Sequence, residues 1–129
     1  MDIKVQDLDN DGKRDVVVVN FGGGGTVQVF KNNAVVGTIN AASLALNSTI
    51  ATATGPECVE IADVDGDGKA DICIGMKNTP GSIQVVRNTN TVAGTMSFAG
   101  IVTAAAGLPR INIEAVSYTH LTLPTNREV

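Results

Sequence analysis

The chain reads as short apolar runs of strand length separated by polar and glycine-rich punctuation. Ile3–Gln6 leads into an acidic stretch, and Asp15–Phe21 leaves it as an apolar run. Gly22–Gly25 marks a turn, after which Thr26–Lys31 alternates apolar and polar positions as a half-buried strand does. The same order of features then returns. Cys58–Ala62 leads into a second acidic stretch, Ala70–Lys77 leaves it, Asn78-Thr79-Pro80-Gly81 turns, and Ser82–Arg87 alternates. A fourth strand is expected near Val35–Asn40 in the first cycle and near Thr95–Ala99 in the second, with a further extended stretch before each new cycle. Val16–Val19 and Ile72–Ile74 are apolar at every position, which predicts burial on both faces.

The recurrence is a true internal repeat. A shift of 56 positions aligns Val5–Asn33 with Ile61–Thr89 without a gap, and ten of the 29 positions are identical. Most others exchange like for like, as in Val5/Ile61, Leu8/Val64, Val16/Ile72, Val27/Ile83 and Lys31/Arg87. Fixed-period self-similarity marks an architecture in which each unit buries its faces against its neighbours. Four strands per unit of this length fit a propeller blade, so the expected fold is all-β, built of antiparallel four-stranded blades of a β-propeller, with about two blades here. The division expected is a first repeat over 1–56 and a second repeat with the start of a third over 57–115.

The third cycle begins and stops. GLPRINIEA places Pro109 where GPECVEIAD has Pro56, but the acidic loop that should follow is replaced by VSYTHLTLPTNREV. That tail holds the only His and the only Tyr. Val116–Thr125 resembles a translated transposon-end sequencing adapter, a common scar on metagenomic reads, so 116–129 is read as a non-native tail and set aside from fold reasoning. The expectation is a piece of a longer protein, interrupted before its third acidic loop.

Composition agrees with strands. There is no Trp, one Tyr and three Phe, against many Val, Ile, Ala, Thr and Gly, and β-branched residues suit a pleated half-buried surface. No apolar run reaches the length of a membrane span, and no basic-then-apolar leader opens the chain. The net charge of −4 argues against nucleic acid as a partner. Where the acids lie matters more than their sum. Eight of the thirteen Asp and Glu fall within Asp7–Asp15 and Asp63–Asp71, a crowding that is repulsive unless a cation sits among them.

Both stretches read D-x-D-x-D-G-x-x-D. Calcium takes six to eight oxygens, and short Asp side chains let one tight loop supply several. Asp7, Asp9 and Asp11 fall at positions 1, 3 and 5, Gly12 at the sharp turn, Lys13 at the position that offers a backbone carbonyl, and Asp15 at position 9. Asp63, Asp65, Asp67, Gly68, Lys69 and Asp71 repeat the set. The plainer reading, an acidic β-turn without metal, draws on the turn preferences of Asp and Gly; two copies in register between strands weigh against it. An EF-hand needs a bidentate Glu at position 12, whereas Val18 and Ile74 stand there inside apolar strands, which removes a calmodulin-like sensor. With no such Glu, the expected affinity lies at the weak extracellular end, Kd on the order of 10⁻⁴–10⁻³ M. Magnesium fits so flexible a loop poorly.

These repeats resemble the FG-GAP or VCBS family of bacterial surface proteins and of the integrin α-subunit propeller. The matching residues are the two loops, the strands DVVVVNF and DICIGMK, and the strands TVQVFKNN and SIQVVRNT. Phe21-Gly22 matches the FG of the name, while the GAP part is absent, so the VCBS-like variety is the nearer one. The resemblance covers nearly all of 1–115. It implies a propeller of about seven blades when complete, calcium at the blade loops, and an extracellular or cell-surface setting. The leading expectation is a non-enzymatic binding or structural module for adhesion or for recognition of a protein or polysaccharide, partnered by the remaining blades. The alternative is a piece of a secreted propeller enzyme such as a polysaccharide lyase or hydrolase; a dockerin-like module is disfavoured because strands, not helices, follow the loops.

Other features carry less. Gly22–Gly25 lacks the Lys-Ser/Thr of a phosphate-binding loop and leads into a strand. With Ala62 opposite Ile72, Cys58 and Cys73 are not cross-strand neighbours, so two free thiols are expected rather than a disulfide. Outside the tail there is no His for a Ser-His-Asp or Cys-His arrangement, and Asp2, Glu57, Glu60 and Glu114 are scattered. Asn47-Ser48-Thr49 matches a glycosylation sequon too short to mean much. Two blades of an unclosed ring leave apolar faces and strand edges bare, so the isolated chain is expected to associate.

Overall fold

A computed structural model describes residues 1–77 and 81–108; the turn at 78–80, the third cycle beyond Leu108 and the tail lie outside the described residues. Eight strands follow one another: β1 (Asp2–Gln6), β2 (Asp15–Asn20), β3 (Thr26–Asn32), β4 (Leu44–Ala51), β5 (Pro56–Ala62), β6 (Asp71–Met76), β7 (Gly81–Val86) and β8 (Val102–Leu108). They form two four-stranded antiparallel sheets in simple meander order, β1-β2-β3-β4 and β5-β6-β7-β8, and no helix occurs among the described residues. This is the all-β, four-strands-per-unit architecture expected for about two propeller blades.

The sheets stack face to face in a fixed sense. Val17, Val19, Val27 and Val29 of the first sheet meet Val59, Ile72, Ile74, Met76 and Val86 of the second in one core. Each fully buried Val or Ile contributes about 1.5–3 kcal/mol relative to leaving it in water. The register shows that opposite faces of the two repeats meet. Val17 corresponds in the repeat to Cys73, and Ile72 to Val16, so the odd-numbered face of β2 packs on the even-numbered face of β6. Burial on both faces therefore holds only in part. Val16, Val18 and Cys73 are half-buried, because their faces lie at the two ends of the stack.

The fourth strands are not where the apolar pattern put them. Val35–Asn40 makes only the isolated bridge Val35–Thr38, closed by a Thr38 N–H to Val35 carbonyl bond of 2.9 Å around Gly37 at φ 84°. A left-handed residue in mid-run turns the chain back on itself. Thr95–Ala99, just after Gly94 at φ 84°, keeps only the bridge of Asn88 with Phe98. The later extended stretches, Leu44–Ala51 and Val102–Leu108, complete the sheets instead. The second hairpin is also shifted by one from expectation. Ala62 pairs with Asp71, Cys73 with Glu60, and Cys58 with Gly75, and the two cysteines form no disulfide.

One buried acid in each sheet braces its acidic loop. Asp15, at the start of β2, accepts the Leu8 N–H at 2.9 Å and the Asn32 N–H at 2.8 Å. Asp71 accepts those of Val64 and Asn88 at 2.9 and 2.8 Å. One carboxylate thus ties the acidic loop to the end of the third strand.

Two predictions test these supports by denaturant unfolding in the presence of a chelator. Asp15→Ala strands two buried N–H groups and is expected to cost about 2–4 kcal/mol, with Asp15→Asn, which keeps an acceptor, costing about half of that. Gly25 sits at φ 90°, and a Cβ there would meet Thr52 Oγ1 at 2.6 Å, Pro56 Cδ at 2.7 Å and the Ala53 carbonyl at 2.9 Å. Gly23, at φ 67°, faces open space. Gly25→Ala is expected to cost about 3 kcal/mol or more and Gly23→Ala about 1 kcal/mol; equal losses would show that the inter-sheet linker does not press on this turn.

Candidate metal centres

Each acidic loop joins the first two strands of its sheet, and the two copies share one backbone. Position 6 is left-handed in both, Gly12 at φ 87° and Gly68 at φ 85°, as the sharp turn requires. Position 4 is left-handed as well: Asn10 at φ 60° and Gly66 at φ 77°. Asn and Gly are the residues that enter this region at least cost. Asp7 Oδ2 accepts the Gly12 N–H at 2.9 Å, and Asp63 Oδ2 accepts the Gly68 N–H at 2.8 Å. Lys13 and Lys69 follow the turn and donate their N–H groups to Asp11 and Asp67 at 2.8 and 2.9 Å.

The structure gathers three of the four acids of each loop. One carboxylate oxygen from each of Asp7, Asp9 and Asp15 lies within 4.8 Å of the others, and Asp63, Asp65 and Asp71 do the same. Asp11 and Asp67 stand outside these groups. In the first loop Lys31 Nζ bonds both Asp9 and Asp11. In the second, Arg87 reaches Asp65 at 2.6 Å and Asp67 at 3.3 Å. An internal cation at the end of the third strand therefore sits on the position-3 and position-5 carboxylates in both copies.

The protonation energetics follow. Burial works to raise the Asp11 carboxyl, but the Lys13 N–H and the Lys31 ammonium outweigh it and hold the group below the usual range. Arg87 holds Asp65 low in the same way, and the acids in turn raise Lys31 and Arg87. Asp15 is pushed up, first by burial and then by the charges of Asp9 and Asp11, against the pull of its two N–H donors.

The loops differ in their surroundings. In the first, Leu8 and Asp9 are 3% and 1% exposed, because the second sheet closes over them. Asn88 donates to the Leu8 carbonyl at 2.8 Å and to the Ala70 carbonyl at 3.0 Å, Asn90 to the Leu8 carbonyl at 3.1 Å, and the Gly94 N–H to the Asp9 carbonyl at 2.8 Å. The second loop lies at the end of the stack, and Val64 is 56% exposed. The first position differs too. Asp63 Oδ1 accepts the N–H groups of Gly66 and Asp67 at 2.8 and 3.2 Å, whereas Asp7 Oδ1 is buried with no hydrogen-bond partner. A groove of about 460 Å³ runs beside Asp7 and Asp9, walled on its far side by Lys69 and Asn90.

Reading the ligand pattern alone misses Lys31, Arg87, Asn88 and Asn90. The like-for-like exchange Lys31/Arg87 was visible in the repeat, but its meaning needed the register that brings the third strand beside the loop. The inter-sheet bonds of Asn88 and Asn90 join residues 80 and 82 positions apart, and no local pattern carries them.

No helix among the described residues is long and apolar enough to cross a membrane. No curated protein and no solved structure matches the chain. The family model of the FG-GAP-like repeat matches residues 7–74, more than half of the chain, beginning at the first aspartate of the first loop and ending inside β6. With two meander sheets in the stacking of successive blades and the acidic loop at the same place in each, the chain belongs to the FG-GAP-like repeat family.

Proposed function

We propose that the chain is a calcium-binding propeller module that acts outside the cell as a binding or structural element and carries no catalysis of its own. The observation that supports this most is Asp7 Oδ1, a carboxylate oxygen removed from water with no protein donor, in a group of three converging acids. An ionised oxygen so placed is costly unless a cation satisfies it. The donor set, all oxygen and all carboxylate, suits a hard divalent ion. Asp7, Asp9 and Asp15, and likewise Asp63, Asp65 and Asp71, would hold calcium, with Asp11, Asp67 and the carbonyls of Lys13 and Lys69 as further donors. The role of the ion is to neutralise the loop and lock the first hairpin of each blade. In the absence of metal Lys31 and Arg87 share that task.

A recognition role draws on the connector between β3 and β4. Val36 and Ile39 are 100% and 91% exposed there, and this apolar tip stands beside Lys13 of the first loop. Exposed apolar side chains on a turn next to a charged loop are the kind of surface that a protein or polysaccharide partner takes. His120, the only histidine, belongs to the tail, so the rest of the chain has no imidazole for acid–base work.

Calorimetric titration tests the metal reading. Two sites are expected, Kd on the order of 10⁻⁴–10⁻³ M, with the first loop the tighter. At a tenfold excess over Kd each adds about 1.4 kcal/mol to unfolding stability. Asp7→Asn and Asp63→Asn, which preserve an acceptor for the turn, should each remove one site; a folded wild-type protein that shows neither heat nor stabilisation in several millimolar calcium sinks the proposal.

Lys31→Met separates the internal cation from the external one. It is expected to destabilise the metal-free protein and to raise calcium affinity at the first loop by about threefold to tenfold, because Asp9 and Asp11 no longer have to be released. An unchanged affinity would mean that Lys31 does not compete for those acids.

A further inference from the structure

The groove beside the first acidic loop is walled by residues 6–10 of that loop, 68–70 at the close of the second loop, and 90–93 of the connector between β7 and β8. Every wall belongs to the junction between the two sheets, so the groove is formed without help from residues outside the described ones. Its volume of about 460 Å³ falls within the range of small-molecule sites. Its lining holds more hydrogen-bonding capacity than the fold spends. The Lys69 ammonium has one ionic partner, Asp67 at 3.9 Å, the outer limit of an ion pair. The side-chain amides of Gln6 and Asn10 and the Thr91 hydroxyl have no hydrogen-bond partner among the described residues.

This lining is particular to the junction and is not dictated by the repeat. Asn90 stands where the first repeat has Ala34, and each donates its N–H to the Asn side chain two residues earlier, at 3.0 and 2.8 Å. The turn that follows, Val92-Ala93-Gly94-Thr95, matches Val35-Val36-Gly37-Thr38 one position later than the shift of 56 would place it. Each turn closes with an N–H to carbonyl bond, at 3.1 and 2.9 Å. Thr91 is thus an extra residue of the second connector, and it brings a hydroxyl to the groove wall.

We propose that this groove binds a uronic-acid unit of an acidic polysaccharide, with the sugar carboxylate on the Lys69 ammonium and ring hydroxyls on Gln6, Asn10 and Thr91. A sugar hydroxyl both donates and accepts, as amide and hydroxyl side chains do, and a carboxylate makes a charge-assisted bond to an ammonium. A peptide fits less well. The Leu8 and Asp9 carbonyls and the Gly94 N–H are already bonded across the junction, so an extended chain finds no main-chain ladder to join. A phosphate is better served by the fork of an arginine, and the groove offers one ammonium and no guanidinium. The inference rests on the calcium reading. Asp7, whose Oδ1 lacks a donor, lines the same groove and repels a carboxylate until a cation neutralises it. Uronate binding therefore requires calcium.

Saturation-transfer NMR on the full chain tests this, with sodium glucuronate and sodium galacturonate as probes. Glucose, sodium acetate and N-acetylglutamate serve as the neutral sugar, the plain carboxylate and the acidic side chain. In several millimolar calcium the uronates are expected to give signals that a chelator abolishes, with Kd on the order of 10⁻³ M for a single sugar ring. Lys69→Met and Thr91→Glu should each weaken binding about tenfold or more. Thr91 is exposed, so the second variant stands where circular dichroism shows that the first fails to fold, and it should keep its calcium-binding heat. A wild-type protein that binds no calcium sinks the metal reading and this one with it. One that binds calcium but gives no uronate signal overturns this inference alone. Signals that survive in a folded variant, persist in chelator, or are matched by glucose, acetate or N-acetylglutamate overturn it as well.

Discussion

A four-stranded sheet with apolar residues on both faces has no stable existence alone in water. Every other feature of this chain answers to that constraint. The odd-numbered valines of β2 and the even-numbered isoleucines of β6 cover one another, and the covering works because the two repeats stack in the same sense, one face of the first on the opposite face of the second. A face is never matched with its own copy. That geometry makes the unit repeatable, and it leaves unlike surfaces at the two ends.

The acidic loops sit where this stacking has to be made specific, since apolar contact alone tolerates sliding. Hydrogen bonds to fixed carbonyls do not. Asn88, Asn90 and the Gly94 N–H all seek carbonyls of Leu8 and Asp9, and those carbonyls are displayed correctly only if the loop keeps its two left-handed residues. The aspartates hold it in that shape through N–H bonds of their own. The same side chains that read as ligands are thus also the turn's internal scaffold, and Asp15 and Asp71 are hairpin braces before they are anything else. The charge this accumulates is partly met from within by Lys31 and Arg87.

Much of this was legible from the residues, and the failures have physical causes. The six strands flanking the loops follow from apolar alternation between glycine-rich turns, and the match across 56 positions gave their spatial equivalence. The fourth strands were misplaced because Val35-Val36 and the Thr95–Ala99 segment have strand composition while Gly37 and Gly94 impose turns that composition does not reveal. The hairpin register slipped by one because Asp71 was counted with the loop, although its backbone already pairs with Ala62. The gathering of Asp7, Asp9 and Asp15 follows from alternate spacing in a tight turn. The basic residue on Asp9 and Asp11 does not, since 22 positions separate Lys31 from Asp9 and only the sheet brings them together.

The placement of the first loop couples two equilibria that are separate in an isolated turn. Its acids converge on one another, while its carbonyls of Leu8 and Asp9 face outward to the next blade. A single short stretch of backbone is therefore bound on both sides. If an ion stiffens it in the shape that the next blade requires, then by linkage the docking of that blade must tighten the ion by the same factor. The two loops form a built-in comparison. The first has its neighbour in place, with Asp9 buried and Asp7 Oδ1 cut off from water; the second has none among the described residues, and its Asp63 oxygens are occupied by backbone N–H groups. The difference between them is what blade docking does to a loop of nearly constant sequence. It leaves the Oδ1 of the first aspartate buried without the backbone donors that its counterpart keeps, which is the direction that would strengthen the proposed cation site.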